Sequence, residues 1–74
     1  MDRLILDARG KMCPWPVLLT SEKLKTIDSG ALIEVIVDYP PAKENVVRFA
    51  KMKGHVVVDV KEENGQWRII IKKS

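Results

Sequence analysis

The spacing of apolar side chains changes repeatedly along the chain, and each change marks a boundary between elements. Residues 3–8, RLILDA, carry Leu4, Ile5 and Leu6 ahead of Asp7 and predict a first strand. From Pro16 the repeat lengthens: Val17, Leu18, Leu24 and Ile27 share one side of a helix predicted over about 16–28, with Glu22, Lys23 and Lys25 mostly opposite. Pro16 suits the first helical position, and Gly30 is placed to cap the end. Residues 31–37, ALIEVIV, are apolar apart from Glu34, the pattern of a central strand covered on much of both faces. Pro41 opens a second helix with Asp38 or Tyr39 just outside it; Ala42, Val46, Phe49 and Ala50 form its inner side, and Gly54 ends it. Residues 55–60 and 66–71 alternate as strands across Asn64-Gly65, a strong hairpin signal, with Trp67 expected on the side of Ile69 and Ile71.

The order β-α-β-α-β-β predicts an α/β (α+β) two-layer sandwich: a four-stranded mixed sheet with two helices, a right-handed first crossover and an antiparallel last pair. No repeat or linker divides the chain, so residues 1–74 are expected to form a single domain.

Composition narrows the chemistry. A 74-residue chain buries only about 60% of the surface it exposes when unfolded, which leaves no room for a deep enclosed active site. One cysteine excludes an internal disulfide, and one cysteine with one histidine excludes a protein-only zinc site of about four ligands, so no metal or cofactor is implied. The net charge of +3 suits an acidic protein partner and permits a nucleic acid. The apolar run after Asp2 and Arg3 is too short for a signal-peptide core, and no stretch approaches the about 20 apolar residues of a membrane span. The expectation is a cytoplasmic protein with no membrane partner.

Against that background, residues 10–19, GKMCPWPVLL, hold the one thiol. Cys13 precedes the predicted helix by three residues, a position near unpaired amide groups that favours the thiolate, and Arg9 and Lys11 are close in sequence. Pro14 holds Cys13 extended, Pro16 presets the helix, and Gly10 permits a positive φ that aims the loop. Asp7 can anchor the same loop by accepting backbone N–H bonds. Free cysteines are often simply buried, but these flanks are polar and rigid and favour a functional thiol. A dithiol cycle is excluded, because Pro16 stands where the second thiol would be. A Cys-His pair is disfavoured, because His55 begins a strand and lies at the opposite sheet end if the third strand runs with the first two. What remains is a thiol that accepts a group and hands it on.

LDARGKMCPWP, followed by DYPP and GH at these spacings, resembles the TusA/SirA-like sulfur carrier proteins, whose signature is C-P-x-P after an L-D-x-x-G approach. The resemblance implies that Cys13 takes sulfane sulfur from a cysteine desulfurase or other sulfur donor as a persulfide. It then passes the sulfur to an acceptor sulfurtransferase, for tRNA thiolation, cofactor biosynthesis or sulfur metabolism. Such a chain works with partner enzymes rather than as a stand-alone catalyst. Where well-characterised members carry D-D-P and then an Arg-Asp pair, this chain has Asp38-Tyr39-Pro40 and Glu44-Asn45. Asp38, Tyr39 and Pro40 are candidates for a partner surface at the sheet end shared with Cys13, or for a helix cap. Trp15 is either an interface anchor or a cover for the start of the helix.

A second reading is a non-enzymatic RNA- or protein-binding module that uses Lys43, Arg48 and Lys51. Glu44 breaks that stripe and is expected to pair with Arg48, and the few aromatics argue against base stacking, so direct nucleic-acid binding is disfavoured. Selenium delivery is a third reading that the residues do not separate from sulfur.

Overall fold

Strand β1 (Arg3–Asp7) is followed by α1 (Trp15–Leu24), β2 (Leu32–Val37), α2 (Pro40–Met52), β3 (Val56–Glu63) and β4 (Gln66–Lys72). The structure is a computed structural model that describes residues 3–11 and 15–74. The sheet order is β1-β2-β4-β3. β1 pairs parallel to β2, with Leu6 beside Val35, and β4 runs antiparallel to both β2 and β3. β3 therefore runs in the direction of β1 and β2. The β3–β4 hairpin closes on Asn64 (φ 52) and Gly65 (φ 78), the two left-handed residues of a type I′ turn.

Both helices cover one face of the sheet. Leu6, Ile33, Val35, Val37, Ile69 and Ile71 meet Leu24, Ala42, Val46 and Ala50 there, and most of them are wholly inaccessible to solvent. The sheet's other face has no helix, yet Glu34 lies buried on it, its side chain only 8% exposed. Arg3 Nη1 donates to Glu34 Oε1 at 2.6 Å and Arg68 Nη1 donates to Oε2 at 2.5 Å. Burial pushes this carboxyl's pKa up, but the hydrogen bonds from Arg68 and Arg3 together outweigh it and hold it below the usual range. The second face of β2 is thus covered by the chain's own arginine stems rather than by a layer.

Several expectations change in detail. α1 stops at Leu24, not near residue 28, because both the amide and the hydroxyl of Thr26 donate to Lys23 O, at 3.0 and 2.7 Å, and close the last turn. Gly30 (φ 90) therefore caps no helix; it turns the chain into β2 and donates its N–H to Lys73 O at 2.7 Å. The buried stripe of α1 is Pro16, Thr20 and Leu24, whereas Leu18 is 48% exposed. Thr20 is tolerated in the core because its hydroxyl donates to Pro16 O at 2.7 Å. α2 begins one residue early, at Pro40, and its two leading prolines occupy positions where a missing N–H costs nothing. β3 runs on to Glu63 and is irregular between Val57 and Asp59, which breaks the simple alternation expected of it. Glu44 and Arg48 form no ion pair, and Trp67 is half-buried with Lys43 Nζ 5.6 Å from its ring centroid.

Glu34→Ala removes a buried carboxylate whose partners keep water on their outer sides, so the expected loss is about 1–2 kcal/mol, read as a lower urea midpoint at neutral pH. A carboxyl with a lowered folded-state pKa stabilises above its unfolded value and loses that contribution as pH falls through the folded value. The gap between wild type and Glu34→Gln should accordingly narrow on acidification.

Candidate functional site at the carboxyl ends of β1 and β2

Past the end of β1, Ala8 is fully buried and its N–H reaches Ile36 O at 2.8 Å, carrying the ladder one residue further. The chain then turns: Lys11 N–H donates to Ala8 O at 3.3 Å, with Gly10 at φ 76 in the third position of the turn, where a type II turn needs a left-handed residue. Among the described residues a Cβ on Gly10 would meet nothing within 4 Å, so it is the backbone angle that calls for glycine there.

Two carboxylates hold this turn. Asp7 Oδ1 accepts the Arg9 N–H at 3.0 Å and Arg9 Nε at 2.9 Å, while Oδ2 accepts Arg9 Nη2 at 2.8 Å. From the neighbouring strand end, Asp38 Oδ1 accepts the Gly10 N–H at 3.0 Å. The Arg9 side chain, and after it the Arg9 amide, hold the Asp7 pKa down at about 2. Asp7 in turn raises the pKa of the Arg9 guanidinium, with a smaller contribution from Asp38.

Cys13 and Pro14 lie outside the described residues. The chain is described again from Trp15, which is 58% exposed, and Pro16, which is fully buried. Among the described residues, Lys11, Trp15 and Leu19 line a depression of about 310 Å³. Lys11 is exposed and makes no ion pair among the described residues. Beyond Asp38, Tyr39 is 38% exposed and Pro40 is exposed. Tyr39 is the N-cap of α2 in an extended conformation (φ −129, ψ 118), and its carbonyl accepts the Ala42 and Lys43 amides. Asp38 caps nothing; its carboxylate is taken by Gly10.

Arg9, Gly10, Lys11 and Trp15 thus share one end of the molecule with Asp38, Tyr39 and Pro40. His55 precedes β3, whose first residue lies across from Lys72 in the row of Arg3 and Leu32, at the other end of the sheet. Its Nδ1 accepts the Ser74 N–H at 3.2 Å.

The family model described as sulfurtransferase TusA matches residues 4–73. A relative from Methanocaldococcus jannaschii, described as a candidate sulfur carrier protein, is 46% identical over 68 residues, 92% of this chain and 91% of its own. The sulfur carrier protein TusA of Allochromatium vinosum is 38% identical over 69 residues, covering 93% of this chain and 91% of its own. Among solved structures, the SirA-like protein of Desulfitobacterium hafniense superposes with a TM-score of 0.84 at 25% identity, over 93% of this chain and 95% of that one.

The Asp7–Arg9 pair should survive mild acid. Its contribution is present above the ordinary carboxylate range and is lost as pH falls through about 2, so the Arg9 amide resonance should titrate with a midpoint near that value and be unmoved at pH 4. Gly10→Ala forces a left-handed alanine and should cost about 1–2 kcal/mol in a denaturant titration, with Gly10→Asn costing less.

Proposed function

The chain belongs to the TusA sulfurtransferase family, and on that premise we propose that it is a sulfur carrier working through Cys13. The observation that carries the reading is the family match over residues 4–73 in a chain whose one thiol falls in the C-P-x-P segment. The Cys13 thiolate attacks the terminal sulfur of a donor persulfide, such as that of a cysteine desulfurase; the donor's S–S bond breaks, its thiolate leaves, and Cys13 holds the persulfide. For delivery, the thiolate of an acceptor sulfurtransferase attacks the outer sulfur and the Cys13 thiolate departs. Each transfer exchanges one S–S bond for another, so no outside oxidant or reductant is needed.

The residues around the motif support this chemistry in separate ways. Among the described residues Arg9 is paired with Asp7 while Lys11 is left as a cation for a sulfur anion, and the first turn of α1 adds its partial positive charge. Pro14 and Pro16 stiffen the segment, and Gly10 with Asp38 fixes its approach. Trp15, Tyr39 and Pro40 offer exposed surface to donor and acceptor. No described helix is long and apolar enough to cross a membrane, and a thiol carrier fits a reducing cytoplasm.

Incubation with a cysteine desulfurase and cysteine should add one sulfur atom to the intact mass, with the gain absent in Cys13→Ser and reversed by a thiol reductant. No gain from a desulfurase, thiosulfate or polysulfide would reject the reading. Trp15→Ala should slow transfer from the enzyme donor about tenfold while leaving loading by inorganic polysulfide unchanged.

A further inference from the structure

The helical layer ends before the sheet does. α2 packs over β2, β4 and β3, yet Val60, opposite Ile69 on the helix-covered side, is 39% exposed, and Met52 at the end of α2 is 76% exposed. Between α2 and β3 lies an open cleft of about 700 Å³. Among the described residues, Val47, Met52 and Val60 give it apolar walls, and Lys43, Arg48 and Lys51 line it with cations against one acid, Glu44. Arg48 and Lys51 make no ion pair among the described residues, so their charge is available, while Lys43 is partly engaged by Trp67. α2 starts just after Asp38, at the sheet end that also holds Gly10, so the cleft, on the β3 edge opposite β1, begins toward that same end and runs down the β3 flank.

We propose that this cleft is a docking site for an acidic amphipathic helix of a partner protein. The 13 residues of α2 span about 20 Å, and a third helix of similar length beside it would continue the layer over β3. Its apolar stripe would cover Val47, Met52 and Val60, and its flanking acids would face Arg48 and Lys51. A second copy of this chain fits poorly, because a protein of net charge +3 would bring cations to cations. RNA fits poorly as well, since among the described residues no aromatic ring lines the cleft to stack a base. The inference rests on the sulfur-carrier reading for its role: a donor or acceptor enzyme held along the flank leaves the Cys13 segment free to enter that enzyme's site.

The test is an NMR titration of the ¹⁵N-labelled full chain with a synthetic helical peptide of about 14 residues, leucines along one stripe and glutamates beside them. A scrambled peptide of equal composition and a single-stranded oligouridine are titrated in parallel. The patterned peptide should shift the amides of Val47, Arg48, Lys51, Met52 and Val60. Its Kd should rise about tenfold in Met52→Ser and in the Arg48→Glu/Lys51→Glu double variant, both of which should keep a folded spectrum and load Cys13 from polysulfide as wild type does. Equal binding of the scrambled peptide or the oligouridine, unchanged affinity in the variants, or shifts confined to other surfaces would overturn the proposal. Failed binding with intact Cys13 loading removes the cleft alone; failed loading of Cys13 removes the carrier reading and with it the role given to the partner.

Discussion

The parallel pairing of β1 with β2 is the constraint from which the candidate site follows. Two adjacent parallel strands cannot be joined by a hairpin, so the chain must leave β1, return over one face of the sheet and start again at the other end. α1 is that return. The crossing commits residues 8–11 to the carboxyl end of β1, beside the carboxyl end of β2, where Asp38 follows Val37. Pairing of β4 on the far side of β2 completes the burial of Val35 and Val37 and satisfies both edges of β2 with strand partners.

Residues 8–11 are then tied to the two strand ends by two carboxylates with different tasks. Asp7 binds Arg9 through both oxygens and its backbone amide, so an arginine that looked like a source of charge for the thiol becomes a strut. Asp38 ties Gly10 to the end of the second strand and so holds the turn of residues 8–11 against it. These two bonds order residues 8–11 ahead of any encounter, which lowers the conformational freedom lost when this end of the molecule is bound.

Local signals were readable in the sequence wherever one residue type has one backbone consequence. Asn64-Gly65 marked the hairpin, Pro16 and Pro41 marked the starts of α1 and α2 to within one residue, and Gly10 marked the turn. What escaped were contacts between residues distant in the chain or choices between equivalent periods. The Gly10–Asp38 bond spans 28 positions and has no local signature, so Asp38 read equally well as a cap. The apolar period through Ile27 could not show that the Thr26 hydroxyl would take a helix carbonyl and stop α1 at Leu24. Nor does one carboxylate in an apolar strand announce that Arg3 and Arg68, from two other strands, will cover it.

The central claim is that sulfur passes through this chain by way of one thiol. It is tested most directly by a chase: the protein is loaded with radiolabelled sulfur by a cysteine desulfurase, freed of donor, mixed with a thiol-bearing acceptor sulfurtransferase, and resolved without reductant. The label should leave the chain and appear on the acceptor with matching rates, and Cys13→Ser should carry none. Label that stays on the chain, or that reaches the acceptor from the desulfurase as quickly with Cys13→Ser as with wild type, would contradict the account.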